Sequence, residues 1–285
     1  MDTMPALFIG HGSPMNTLDD NRYTRTWRRL GATLPRPRGV LVVSAHWYIG
    51  ATAVTAMARP RTIHDFYGFP PELFAFDYPA AGAPDVAMEV AEVVKPMWMG
   101  LDHDTWGIDH GAWSVLAHLF PAADVPVVEL SINAHKPLDY HLALAARLAP
   151  LRDRGILIVG SGNLVHNLRR IDWSRRDEGF DWALRFDEAA REVLTSKPGN
   201  IASLSSHPDY LAAVPTPDHF LPLLYLAGLA DQAGRAASIV VDGCDMGSIS
   251  MAAYSLDAEC PPKDGGNAAA PLPDPSRVPP DGTNT

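Results

Sequence analysis

Short apolar runs alternate along the chain with stretches whose apolar residues recur at helical spacing. Residues 6–10, 39–46, 125–131 and 155–163 are dominated by Val, Ile, Leu and Ala and bounded by Gly, Pro or Asn, the pattern of strands buried on both faces of a sheet. Residues 238–241 read as a further strand at a sheet edge. Residues 19–34, 84–94, 112–120, 138–149, 181–194 and 220–229 read as helices. Trp27 and Leu30 mark the first, with Asp19 or Asp20 as its cap, and Leu184, Ala189, Val193 and Leu194 form the stripe of the fifth. Strands alternating with helices predict an α/β fold in three layers, with a central mostly parallel or mixed sheet and helices on both faces. Residues 1–256 are expected to form one domain. From Asp257 onward Pro, Gly, Asp and Asn displace apolar residues, so 257–285 is expected to be a flexible tail.

Histidines stand where these runs end. His11 lies between Gly10 and Gly12, ahead of Pro14, which stops the strand. His46 closes the second run, and His166 follows the run that ends in Gly160-Ser161-Gly162-Asn163. His219 follows Pro215 and Pro217 at the approach to a helix, and His110 stands beside Asp109 ahead of another. Side-by-side parallel strands bring such ends to one edge, where open α/β sheets bind ligands. Neutral imidazole suits Zn, Fe, Cu and Ni. Three imidazoles with an open position fit a catalytic zinc, and two with a carboxylate fit non-haem Fe(II) oxygen chemistry. Spacing alone leaves both open. No HExxH helix and no GxSxG elbow is present, and the glycines at 160 and 162 lack the spacing of a nucleotide-binding loop. The aromatic segment 63–71 reads as a wall or lid over a flat apolar ligand.

The chain has 285 residues and a formal net charge of −10, and no Lys/Arg run offers a surface for nucleic acid or anionic membrane. No apolar run is long enough to cross a bilayer, and no signal peptide is visible at the N-terminus. Its two cysteines, Cys244 and Cys260, form no CxxC pair, which disfavours a disulfide framework and a cysteine zinc site. The cytoplasm is the expected compartment.

Gly10-His11-Gly12-Ser13-Pro14-Met15, Ser44-Ala45-His46-Trp47, Asp65-Phe66-Tyr67-Gly68-Phe69-Pro70, Asp109-His110-Gly111-Ala112-Trp113, Gly160-Ser161-Gly162-Asn163-Leu164-Val165-His166-Asn167 and Pro217-Asp218-His219 follow one another along the chain. In that order they resemble the class III extradiol ring-cleavage dioxygenases (LigB-like), and more narrowly the 4,5-DOPA dioxygenase branch. The resemblance runs from about Pro5 to Tyr254. It implies that His11, His46 and His219 bind one non-haem divalent metal, Fe(II) for activity with Zn(II) possible as the bound ion. The protocatechuate enzymes carry glutamate at the place of His219. The resemblance further implies that His166 is an acid/base, or a fourth ligand in a zinc-bound form, and that His110 is a second acid/base. The implied substrates are a DOPA-like or related catechol and O2. A zinc-dependent hydrolase or lyase, or a non-catalytic metal-binding protein on the same scaffold, would use the same histidines.

Overall fold

The computed structural model describes residues 3–260 and 268–272. Strand β1 (Ala6–Gly10) leads through a 3-10 turn at Pro14–Thr17 into helix α1 (Arg22–Thr33). Then come β2 (Gly39–Ile49), β3 (Ala53–Thr55), α2 (Pro71–Phe74), α3 (Pro84–Val93), β4 (Gly100–Asp102), α4 (His110–Leu119), β5 (Val127–Asn133), α5 (Leu138–Arg152) and β6 (Ile156–Gly162). The chain continues through α6 (Asp181–Ser196), α7 (Tyr210–Ala213), α8 (Leu221–Gln232), β7 (Ser238–Val241), β8 (Cys244–Asp245), β9 (Ile249–Ser250) and β10 (Ala253–Leu256). Among the described residues no helix is long and apolar enough to cross a membrane.

Eight strands form one mixed sheet in the order β4-β3-β5-β2-β6-β1-β10-β7, and β8 and β9 form a separate ribbon. Its centre, β5-β2-β6-β1, is parallel. Strand β10 adds antiparallel to β1, and β3 antiparallel to β5. Alternate side chains leave the sheet on opposite faces. Phe8, Leu41, Val43, Leu130 and Ile158 join a core with Val86, Leu144, Leu148 and Leu223 of α3, α5 and α8. Leu7, Ile9, Val40, Val42, Leu157 and Val159 join a second core with Trp27, Leu30, Trp113 and Leu116 of α1 and α4. Each such side chain removed from water contributes about 1.5–3 kcal/mol, so both faces favour the same register. Helix α8 is buried all round from Leu221 to Ala230, as a helix apolar on every side must be.

Two local expectations change. The cap of α1 is Asn21, whose side chain accepts from the Tyr23 and Thr24 amides while Thr24 closes the box; Asp20 pairs instead with Arg25 and Arg28. Strand β2 does not end at His46. It runs to Ile49, but between Val43 and Tyr48 it advances five residues while β5 advances two, from Leu130 to Ile132. Residues 44–47 form an excursion from the ladder, the device by which a strand re-aims a side chain.

Of the segment 257–285, expected to be a flexible tail, residues 257–260 and 268–272 are described. The Asp257 carboxylate pairs at 2.6 Å with Arg152, a guanidinium 3% exposed in its whole residue that also donates to the Met4 carbonyl at 2.6 Å. Ala269 and Leu272 are buried within the α1/α4-side core, and Ala270 between them is buried as well. Residues 261–267 and 273–285 lie outside the described residues. Truncation after Leu256 would leave Arg152 buried without its carboxylate. It is expected to cost about 3–5 kcal/mol and to lower the melting temperature by several degrees. An unchanged melt would show that the pair contributes nothing.

His118 and His141 make the fold sensitive to acid. His141 is buried, its Nδ1 at 3.1 Å from the Tyr225 hydroxyl. His118 Nε2 lies 2.8 Å from the Asn16 carbonyl, and its Nδ1 accepts from Arg28 Nε at 3.2 Å. Burial pushes each imidazole down to about 4. Unfolded histidine titrates near 6.5, so between about pH 6.5 and 4 the unfolded chain takes up protons that the folded chain refuses. Stability is therefore expected to fall on acidification through that window, by on the order of a few kcal/mol in all. Urea unfolding at pH 7 and pH 5 measures it, and equal midpoints would refute it.

Candidate metal centre

The carboxyl edge of the parallel strands gathers five histidines, all at most 8% exposed. His11 follows β1, with its amide donating to the Gly162 carbonyl at 3.0 Å. The next residue, Gly12, has φ +60°, and a Cβ there would sit 2.4 Å from Met251 Sδ. His46 rides on the β2 excursion. His110 is the first residue of α4, and Asp109 caps that helix by accepting from the Ala112 amide at 3.1 Å. Gly111 is needed for close approach, because a Cβ would lie 2.7 Å from His46 Cδ2. His166 follows β6, its amide bonded to the Ala213 carbonyl, and His219 precedes α8.

The rings pack closely. His11 and His46 centroids are 5.2 Å apart, His46 and His110 3.8 Å, and His11 and His219 5.4 Å. His166 stacks on His219 at 3.6 Å and 7°. The Nε2 atoms of His11 and His46 face each other at 3.3 Å.

Neighbours set which nitrogen of each ring is free. Ser161 Oγ donates to the Gly111 carbonyl at 2.5 Å, so toward His11 Nδ1, at 3.0 Å, it accepts. His11 therefore carries its proton on Nδ1 and leaves Nε2 open. Asp65 Oδ1 lies 2.8 Å from His110 Nδ1 and accepts from the His110 amide at 3.2 Å. Its Oδ2 lies 3.1 Å from His46 Nδ1, a charge contact with poor hydrogen-bond alignment. Asp218 holds His219 Nδ1 in a short contact, while His219 Nε2 is buried with no hydrogen-bond partner.

Burial holds His11 well below the usual imidazole range, and His46 and His219 push it further down. His166 is held well below by burial and by His219. Burial also lowers His110 and His219, against the pull of Asp65 and Asp218 respectively. At His46 burial lowers, but the Asp65 carboxylate outweighs it and the net shift is upward. Asp65 stays ionised despite burial because His110 and His46 attract its charge. Behind Asp109, Glu129 of β5 is buried and pushed well up by desolvation and by Asp109. It accepts from the Asp109 amide at 2.9 Å, and Trp106 Nε1 reaches both carboxyls, at 3.2 and 3.3 Å.

A set of mostly neutral imidazoles, two with facing Nε2 atoms and one with an orphaned buried Nε2, fits a divalent cation. His11, His46 and His110 each offer a nitrogen, all within 4.8 Å of one another. His219 is not in that trio; its claim to the site is the orphaned nitrogen.

All five histidines singled out in the sequence thus meet here. Reasoning from sequence passed over Asp65, Ser161 and Glu129. The segment around Asp65 does form an aromatic wall. Phe66 and Phe69 are buried, Phe66 lies edge-on 5.4 Å from His110, and Tyr67 is exposed. Its carboxylate, however, is the part that touches the histidines.

Comparison with known proteins places the chain in a family. The 4,5-DOPA dioxygenase extradiol of Escherichia coli K12 is 46% identical over 257 residues, covering 89% of this chain and 94% of its own. That of Beta vulgaris is 33% identical over 259 residues, covering 87% and 95%. The crystal structure of an uncharacterized protein from Escherichia coli K12 superimposes with a TM-score of 0.78 at 43% identity, covering 89% of this chain and 99% of that one. Residues 5–254, which include all five histidines, match the family described as the catalytic LigB subunit of aromatic ring-opening dioxygenase, and to that family the chain belongs.

Proposed function

We propose that the protein opens the ring of a DOPA-like catechol with Fe(II), that His11, His46 and His219 hold the metal, and that His166 and His110 move protons. By its family the chain is a metal-dependent extradiol ring-opening dioxygenase of catechol-type substrates. The observation that carries the finer reading is the buried, unpartnered Nε2 of His219, backed on Nδ1 by Asp218. A carboxylate behind an imidazole fixes its tautomer and makes it a better donor.

Fe(II) bound by these nitrogens would acidify the diol and provide the place where ring and O2 meet. The rest falls to the chain. Ser161 and Asp218 keep Nδ1–H on His11 and His219, so that Nε2 of each is available. Asp65 does the same for His110, whose neutral ring is ready to take a proton through Nε2. His166, kept neutral by burial and by its stacked neighbour, is a second acceptor. Phe66 and Phe69 exclude water beside His110. The overall reaction consumes one O2 per catechol and no added reductant, and both oxygen atoms enter the initial product. The cytoplasm is the proposed compartment, in keeping with two free thiols, Cys244 and Cys260.

Anaerobic loading with Fe(II), followed by oxygen uptake on a catechol panel that includes DOPA, tests this. The expected result is one O2 consumed per catechol and a yellow semialdehyde, or the cyclic product it closes to. No uptake with any catechol, together with ester or amide hydrolysis by the zinc form, would overturn it.

A further inference from the structure

The segment 268–272 lies beyond the family match, which ends at residue 254, yet it is seated on the loop that carries His11. Ala269 and Ala270 are 2% and 1% exposed. The Ala270 amide donates to Asn16 Oδ1 at 2.9 Å, Ser13 Oγ donates to the Pro271 carbonyl at 3.0 Å, and Arg176 donates to the Ala269 carbonyl. Arg176 is itself gripped by the buried Asp245, at 3.1 and 3.0 Å.

The Ala270 bond reaches Asn16, which is fully buried. Its Nδ2 donates to the His11 carbonyl at 2.9 Å. Its Oδ1 has two lone pairs, and Asn21 Nδ2 takes one at 2.9 Å while the Ala270 amide takes the other. The backbone after His11 passes through Gly12, a residue that does not hold one conformation by itself. The carboxamide of Asn16 is therefore what pins the His11 carbonyl, and the C-terminal segment supplies one of the two bonds that orient that carboxamide.

We propose that Asn16 is a positioning residue for the metal centre, and that residues 268–272, which lie outside the family match, complete its hold on His11. The proposal rests on the reading of His11 as a ligand. Groups that orient a ligand typically change metal affinity or activity by about 10–100-fold.

Ala270→Pro tests it at one atom. It deletes the N–H that reaches Asn16, and a residue preceding proline is already restricted to extended backbone that proline can adopt. Zn(II) affinity is read by competition with a chromophoric chelator, and folding by the melt of the metal-free protein. Ala270→Pro, and equally truncation after Cys260, is expected to weaken Zn(II) binding by about tenfold. Asn16→Asp keeps the acceptor but loses the donor to His11, and is expected to weaken binding by about 10–100-fold. Adding Ala270→Pro to Asn16→Asp should then change affinity by less than twofold, because both act through one carboxamide. If the folded variants bind Zn(II) within twofold of the parent, whatever their melting temperatures, the segment is mere packing and the proposal falls. His11→Ala separates the two readings. If it leaves Zn(II) affinity unchanged, His11 is not a ligand and the metal assignment fails first.

Discussion

His219→Ala is expected to yield a folded protein that holds less than about a hundredth of the parent's affinity for iron and shows no ring opening above background. Removing a residue that merely orients a ligand costs about 10–100-fold, so removing the ligand should cost at least the upper end. The same loss is expected for His11→Ala and His46→Ala. His110→Ala is the informative contrast. Its nitrogen belongs to the trio with His11 and His46, but its proposed part is to move a proton through Nε2 rather than to hold the metal, and on that reading it is expected to keep its iron. Iron analysis after anaerobic reconstitution decides between the two sets. A His219→Ala protein replete in iron, beside a His110→Ala protein without it, would move the third ligand to α4.

His166→Ala is expected to retain most of its iron and to lose turnover by about two to four orders of magnitude, the scale of general acid–base catalysis. The ring stacks on His219 at 3.6 Å rather than meeting it nitrogen to nitrogen, and burial keeps it neutral and able to accept a proton. One limb of the pH–rate profile should disappear with it, since no group of matched affinity for protons replaces it. Single-turnover rates across pH, with iron content measured on the same samples, give the answer. Iron lost in parallel with activity would make His166 a ligand.

The five histidines were legible because each closes, follows or stands just ahead of a segment whose period is plain, and a parallel sheet gathers such ends at one edge. The two core faces were legible for the same reason: Leu7 and Ile9 alternate with Ala6 and Phe8. Asp65 was not legible as a partner. It lies 45 residues before His110 in a loop without periodicity, and its aromatic neighbours drew the reading toward ring stacking. Ser161 was read only as part of a glycine-rich turn, although its hydroxyl selects the His11 tautomer. Glu129 sits in an apolar strand, where one carboxyl among valines is the sole sign that the face beneath it holds the Asp109 cap. At the C-terminus, composition averaged over 29 residues from Asp257 to Thr285 did not single out Asp257, whose carboxylate meets the buried Arg152. Folding can exploit one well-placed carboxylate, whereas an average registers only its dilution.

The excursion of β2 bears on how the protein breathes. On one side of residues 44–47, Val40 to Val43 are zipped to Val127 to Leu130; on the other, Tyr48 and Ile49 are zipped to Ile132 and Asn133. The opposite edge of β2 is paired with β6 as far as Ser44. His46 thus hangs between two anchored ladders in the middle of the sheet, while His11, His166 and His219 each lie on chain that leaves the sheet or enters a helix. Amide exchange follows the least costly local opening. Deuterium should therefore reach the backbone around residues 12–17 and 163–167 long before it reaches residues 40–43 and 48–49, leaving His46 as the fixed post about which the other histidines settle when the centre is loaded.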